Sequence, residues 1–200
     1  MGGETLFRIA FWAQLALLFT IRGYFSRRVR AAGEQVAPDR TAVAREGRLM
    51  FTLRITSFCL LLVVLGLYAV NPAWIQRLEF QLPGWLRWSG FAIDLASLAL
   101  LTWSQYELGR LWSSQLQLRS GHQLVTSGPY ARVRHPLYTA ICAWGIGAAI
   151  LTANWLFVAL AAAVCLLLPG RVPREEAMMI EQFGQEYREY MQQTGRFFPK

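Results

Sequence analysis

A run of 32 residues, 137–168, is interrupted only by the polar triplet Thr152-Ala153-Asn154. At 1.5 Å per residue this is too long for one ordinary helical crossing of a hydrocarbon layer about 30 Å thick. The run therefore reads as two helices joined by a tight polar turn. The first half, 137–151, would reach only about 22 Å, so the hairpin should pack deep in a bundle or sit under a thinned bilayer. Its small residues, among them Ala140, Ala143, Gly145 and Gly147, permit close helix approach. Three further apolar stretches precede it: 6–25, 55–70 (closed by Asn71-Pro72) and 88–106. The expected fold is an all-α integral membrane protein with about five transmembrane helices. The first stretch lacks an A-x-A cleavage pattern and reads as an uncleaved anchor. Overall, 54% of the 200 residues are apolar and 16% charged, against roughly a quarter charged in soluble domains. That balance excludes a disordered, collagenous or coiled-coil chain.

A net charge of +8 invites a nucleic-acid reading, but the positions of the cations argue otherwise. Nineteen of the 20 basic residues are Arg, and Lys200 is the lone Lys. Seventeen fall in the connections after the first and third spans and in the C-terminal tail, whereas only Arg8, Arg77 and Arg87 fall on the other side. Arg concentrates on the cytoplasmic face of membrane proteins. The N-terminus is thus expected outside, and the C-terminus and any site near it in the cytoplasm. Topology accounts for the charge without nucleic acid. Cys59, Cys142 and Cys165 lie inside apolar runs without paired spacing, and no disulfide or metal site is read from them.

Chemistry-bearing residues gather in three places. Asp94 is an intramembrane acid, costly unless partnered, and is expected to be hydrogen-bonded or to snorkel, with a place in the functional site as the alternative. Residues 115–138 crowd polar, aromatic and cationic groups into a loop before a membrane helix, with Ser127-Gly128-Pro129-Tyr130 as a turn signal and Pro136 fit to start the helix. Taken singly, those residues could be headgroup anchors. After the last span, Arg171-Val172-Pro173-Arg174-Glu175-Glu176 sets cations and carboxylates at a membrane exit. There the acids also suit a helix start. From 174 to 193, Ala177, Ile180, Phe183, Tyr187 and Tyr190 recur at helical spacing, predicting one cytoplasmic amphipathic helix with Pro173 at its first position.

Taken together, LVTSGPYARVRHPLY, a later R-x-x-x-E-E-x(6)-F-G-x-E-Y-x-x-Y and a closing G-R-F-F-P resemble the isoprenylcysteine carboxyl methyltransferase family. Phospholipid N-methyltransferases share much of this pattern. The likeness runs from about residue 115 to the C-terminus, and Ala140 stands where a Gly is usual. The resemblance implies S-adenosylmethionine held by Gln115, His122, Gln123, Leu124 and Val125, with Tyr130, His135, Pro136, Leu137 and Tyr138 beside it. It further implies that Glu175 pairs with the donor's amino group and Arg171 faces a substrate carboxylate. Residues 1–110 then read as N-terminal transmembrane helices with an Arg-rich loop. Residues 111–200 read as cofactor loop, hairpin and C-terminal helix, all within one integrated membrane domain. The implied reaction is carboxyl methylation of a lipidated or amphiphilic substrate that enters from the surrounding membrane lipid, with no obligate protein partner. Open alternatives are a lipid-amine N-methyltransferase, an NADPH-dependent sterol-type reductase, and a non-enzymatic membrane partner.

Overall fold

A computed structural model describes residues 2–33, 47–109 and 123–200. Along the chain they form α1 (Gly2–Ala31), α2 (Arg48–Val70), a single turn α3 (Ala73–Gln76), α4 (Gly84–Leu108), α5 (Pro136–Thr152), α6 (Trp155–Leu167), α7 (Val172–Phe183) and α8 (Gln185–Gln193). Short 3-10 turns occupy Gly128–Ala131 and Leu168–Arg171. By length and apolarity three stretches can cross a membrane: Gly3–Ala31, Arg48–Val70 and Trp155–Phe183. Helix α4 is 25 residues long, but its apolar character is diluted by buried Arg87, Asp94, Ser97, Ser104 and Gln105. Helix α5, at 17 residues, is short for a span. Each expected apolar stretch is therefore helical, although α1, α2 and α4 run beyond the apolar residues into their polar flanks.

The hairpin turn forms where the polar triplet stands. Helix α5 ends at Thr152, Ala153 adopts the left-handed conformation, and the Asn154 side chain accepts from the Leu156 N–H at 3.0 Å to cap α6. Asn154 also donates to the Ile75 carbonyl at 3.2 Å, while the Trp155 N–H donates to the Leu78 carbonyl at 3.0 Å. The loop after α3 is thus stitched to the tip of the hairpin.

Packing is closest where α4 crosses α5. A Cβ on Gly90 would lie 2.6 Å from the Gly147 carbonyl oxygen, and one on Gly147 would collide with the Asp94 carboxylate. Helix α1 lies against both of these helices, and α2 packs on α6. Phe11, Tyr68 and Phe157 join α1, α2 and α6 through mutual edge-to-face contacts, with centroids 5.0–5.3 Å apart. At the same end of the bundle Arg87 holds Glu4 through two bonds, 2.5 and 2.9 Å, and donates to the Leu151 carbonyl at 2.9 Å. Exposed Trp74, Trp85 and Trp155 ring this end, and exposed Tyr24, Trp103 and Tyr106 ring the other, as two interfacial belts would.

Two expectations need correction. Asp94 neither snorkels nor finds a hydrogen bond: it is fully buried and both carboxylate oxygens lack a partner. The glycine crossing that brings α5 against it leaves no room for a polar side chain. The tail is two helices instead of one, because Gly184 at φ +55° turns the chain between α7 and α8. Pro173 stands at the second helical position, after Val172.

Candidate active site

The site is built where the segment before α5 meets the α6–α7 junction and the C-terminal residues. Its first element is the 3-10 turn. Gly128, at φ +56°, takes a conformation that favours glycine, and a Cβ there would come within 2.6 Å of the Glu107 side chain. Glu107, near the end of α4, accepts from the Ser127 hydroxyl at 2.8 Å and from the Trp103 indole N–H at 3.3 Å. The turn is therefore tied to α4 and presents Tyr130 inward, buried. The Tyr190 hydroxyl donates to the Tyr130 carbonyl at 2.7 Å, fixing the turn to α8. Burial, with Glu175 nearby, pushes the Tyr130 hydroxyl well above its ordinary pKa, so it remains a neutral donor.

The next residues run beside the chain end as a short parallel pairing. The Arg134 N–H donates to the Gly195 carbonyl at 2.9 Å, the Gly195 N–H to the Arg132 carbonyl at 3.1 Å, and the His135 N–H to the Arg196 carbonyl at 3.1 Å. The Thr139 hydroxyl donates to the Phe197 carbonyl at 2.8 Å. The closing G-R-F-F-P block therefore braces the segment that leads into α5.

Two adjacent carboxylates do different work here. Glu176, 4% exposed, accepts from Arg134 at 3.0 Å and from Arg196 at 2.5 Å, with the His135 ring nitrogen 3.4 Å away. Arg134 donates as well to the Met191 carbonyl at 3.0 Å and to the Thr194 carbonyl. This cluster rivets α7, the pre-α5 segment and the chain end together. Glu175, one residue earlier, accepts from the Tyr138 hydroxyl at 2.6 Å, and its side chain stays about one-third exposed. The His135 ring stacks on that of Tyr138, 5.5 Å between centroids and 4° from parallel.

Glu175 opens onto a cavity of about 500 Å³, within the size range of small-molecule sites. Gln123, Leu124 and Val125 line it from one side, and Tyr130, His135, Leu137 and Tyr138 from another. Arg171, nine-tenths buried, completes the wall with Glu175. Nine of the twelve residues singled out from the sequence thus meet around one space. Pro136 does not line it; it is buried as the first residue of α5 and shapes the wall through the backbone. Gln115 and His122 lie outside the described residues.

Residues 91–181 match the family model of the isoprenylcysteine carboxyl methyltransferase (ICMT) family. That stretch, just under half of the chain, is what resembles the family. Among curated relatives, the cobalt-zinc-cadmium resistance protein CzcN of Cupriavidus metallidurans is 35% identical over 121 residues, covering 58% of this chain and 56% of the relative. Protein-S-isoprenylcysteine O-methyltransferase of Tribolium castaneum is 40% identical over 86 residues, covering 42% of this chain and 31% of the relative. The matches thus span about half or less of these relatives' length. In three dimensions, the eukaryotic intramembrane Ras methyltransferase ICMT has the same fold, with a TM-score of 0.66 at 22% identity over 100% of this chain and 68% of that one.

The matched stretch contains Tyr130, His135, Tyr138, Arg171 and Glu175, but other parts of the wall lie outside it. Helices α1 and α2 contribute Leu18, Arg22, Arg54 and Phe58, and α8 contributes Tyr187 and Tyr190. Sequence reasoning missed the α1 and α2 contributions, because apolar spans with flanking Arg look alike whether or not they face a cavity. Their signal is the spacing: Leu18 and Arg22, like Arg54 and Phe58, stand four residues apart on one helical face. Glu107 was also missed; a lone acid at a helix end carries no motif.

Proposed function

We propose that this chain is an S-adenosylmethionine-dependent membrane methyltransferase that methylates the carboxylate of a lipidated or amphiphilic acceptor at its cytoplasmic face. The observation that carries the reading is that two sequence-distant blocks, 123–138 and 171–175, share one cavity with an accessible carboxylate and a buried guanidinium on its wall. The residues fit a sulfonium amino-acid donor. Glu175, oriented by the Tyr138 hydroxyl, keeps exposed surface for an ammonium group, and Leu124, Val125 and Leu137 supply apolar wall for a nucleoside. When bound, the donor supplies a methyl group carried on positively charged sulfur. Arg171 would hold the acceptor carboxylate, its planar fork leaving an oxygen free. An ionised carboxylate is already nucleophilic at neutral pH, so alignment of the two reactants is the main demand on the protein, worth up to about 7–11 kcal/mol in well-oriented systems. The Arg asymmetry, 17 against 3, supports an N-terminus outside and a C-terminus in the cytoplasm. A lipid acceptor would then arrive sideways from the bilayer and the soluble donor from water.

The test is purified protein incubated with methyl-labelled donor and a panel of lipid acids and lipid amines, with Arg171→Ala and Glu175→Ala as controls. Label on acids, lost in both variants, is expected. Label on amines alone would turn the assignment to N-methylation. Separately, S-adenosylhomocysteine should raise the melting temperature, since a ligand stabilises the state it binds. A rise with NADPH instead would point to a reductase.

A further inference from the structure

Four tyrosines line the cavity beside Glu175: Tyr130 from the 3-10 turn, Tyr138 from α5, and Tyr187 and Tyr190 from α8. Two of their hydroxyls are committed, Tyr138 to Glu175 at 2.6 Å and Tyr190 to the Tyr130 carbonyl at 2.7 Å. Tyr187 and the ring of Tyr190 have no part in the donor contacts proposed above. They stand three residues apart on one helical face, with centroids 5.7 Å apart and planes tilted by 55°. The two rings therefore make a corner rather than a flat stack. Tyr187 is 3% exposed. Burial, with Glu176 and Glu175 close by, pushes its hydroxyl well above the ordinary range, and burial pushes that of Tyr190 up to about 12. Both stay neutral phenols, with an electron-rich ring face. Elsewhere the chain covers such faces with its own cations: guanidiniums lie over Phe7, Tyr24, Phe51 and Tyr68. Among the described residues none lies over Tyr187 or Tyr190. Arg134 is near both, but its guanidinium is engaged by Glu176 and by the Met191 and Thr194 carbonyls.

We infer that Tyr187, with Tyr190 as the second wall of the corner, holds the donor's sulfonium by cation–π attraction and lets the site tell the charged donor from its uncharged product. The inference deepens the methyltransferase reading and rests on it. In the transfer, an acceptor oxygen bonds to the methyl carbon as the carbon–sulfur bond breaks. The bonding pair stays on sulfur, which becomes a neutral thioether. The ammonium and adenosine are unchanged by that step, so contacts from Glu175 and the apolar wall are the same before and after it. Only a group that senses the charge on sulfur can distinguish the two. Cation–π attraction does so, because it is strongest for a desolvated cation over a ring face and is lost with the charge. A carboxylate set against the sulfonium would itself compete as methyl acceptor, and Glu176 is already held by Arg134 and Arg196. A neutral phenol ring attracts the charge without competing for the methyl group.

The test uses the full chain in detergent and isothermal calorimetry with S-adenosylmethionine and S-adenosylhomocysteine, which differ only in the methyl group and the charge on sulfur. The quantity read is the ratio of their dissociation constants, from which a general loosening of the site cancels. Tyr187→Leu should move that ratio at least about fivefold against S-adenosylmethionine. Tyr187→Phe, which keeps the ring face, should hold it within about twofold of wild type. Phenylalanine bearing one, two and three ring fluorines at position 187 should lower the preference stepwise, since fluorine drains the face and barely changes its size. That series gives the answer if the leucine variant does not fold. A ratio that stays at the wild-type value in Tyr187→Leu, or along the fluorinated series, overturns the inference while the methyltransferase reading stands. Wild-type protein that binds neither ligand removes that reading, and the inference with it.

Discussion

The two polar ends of the bundle use the same residue types to opposite ends. At one, Arg87 is 7% exposed, and Glu4, the Leu151 and Thr152 carbonyls and the Phe7 ring, 3.9 Å from the guanidinium carbon, surround it. The result is a clamp between α1, α4 and the hairpin tip, with the guanidinium enclosed and the Glu4 side chain 42% exposed. At the other end Glu176 is gripped by two guanidiniums as tightly, but its neighbour Glu175 is held by the Tyr138 hydroxyl, with His135 Nδ1 3.8 Å away, and faces a cavity. An enclosed guanidinium is structure; an acid held beside a cavity is, under the proposed function, a receptor. The second end has both, one residue apart, and the clamp is what keeps the receptor still.

That contrast can be broken experimentally. The largest effect belongs to Glu176→Ala. It strands Arg134, whose side chain is 8% exposed, and losing one partner of a buried pair costs about 3–5 kcal/mol. A fall of several degrees in the melting temperature of detergent-solubilised protein is expected, with donor binding lost as α7 loosens. Arg87→Ala comes next, at about 1–3 kcal/mol, because Glu4 is partly exposed and can rehydrate. It should lower the melting temperature yet leave the S-adenosylhomocysteine shift intact, and loss of that shift would break the distinction between the two ends. Glu107→Ala removes two side-chain bonds to a carboxylate and should cost about 1 kcal/mol. Its sharper signature is a raised donor KM at nearly constant kcat, restored by Glu107→Gln, as expected of a positioning residue. Glu175→Ala should be smallest in stability, about 0–1 kcal/mol, since the group is partly solvated. It should nonetheless abolish the donor-induced shift. Should Glu175→Ala instead destabilise as much as Glu176→Ala, the two acids are one clamp and the receptor reading fails.

Much of the architecture was legible in the chain. Apolar runs marked the helices, Thr152-Ala153-Asn154 marked the hairpin turn, and Pro136 marked the start of α5. The turn at Ser127-Gly128-Pro129-Tyr130 was legible too, although its anchor Glu107 was not. Gly184 escaped notice because the apolar spacing continues through Phe183 and Tyr187 while the backbone turns between them. Asp94 was read as a residue that must find a partner or reach water. Its real setting depends on Gly90 and Gly147 pressing two backbones together, a fact about a crossing that neither helix records alone.

Local chemistry along one chain determines where helices start and stop and which ends carry cations, because capping, hydropathy and charge act over a few neighbours. Which faces of α1 and α2 turn inward, and which of two adjacent glutamates is gripped and which is open, was decided only when helices distant in sequence packed. A helix offers every azimuth to its surroundings, and the aromatic triangle, the glycine crossing and the chain-end pairing are what select among them.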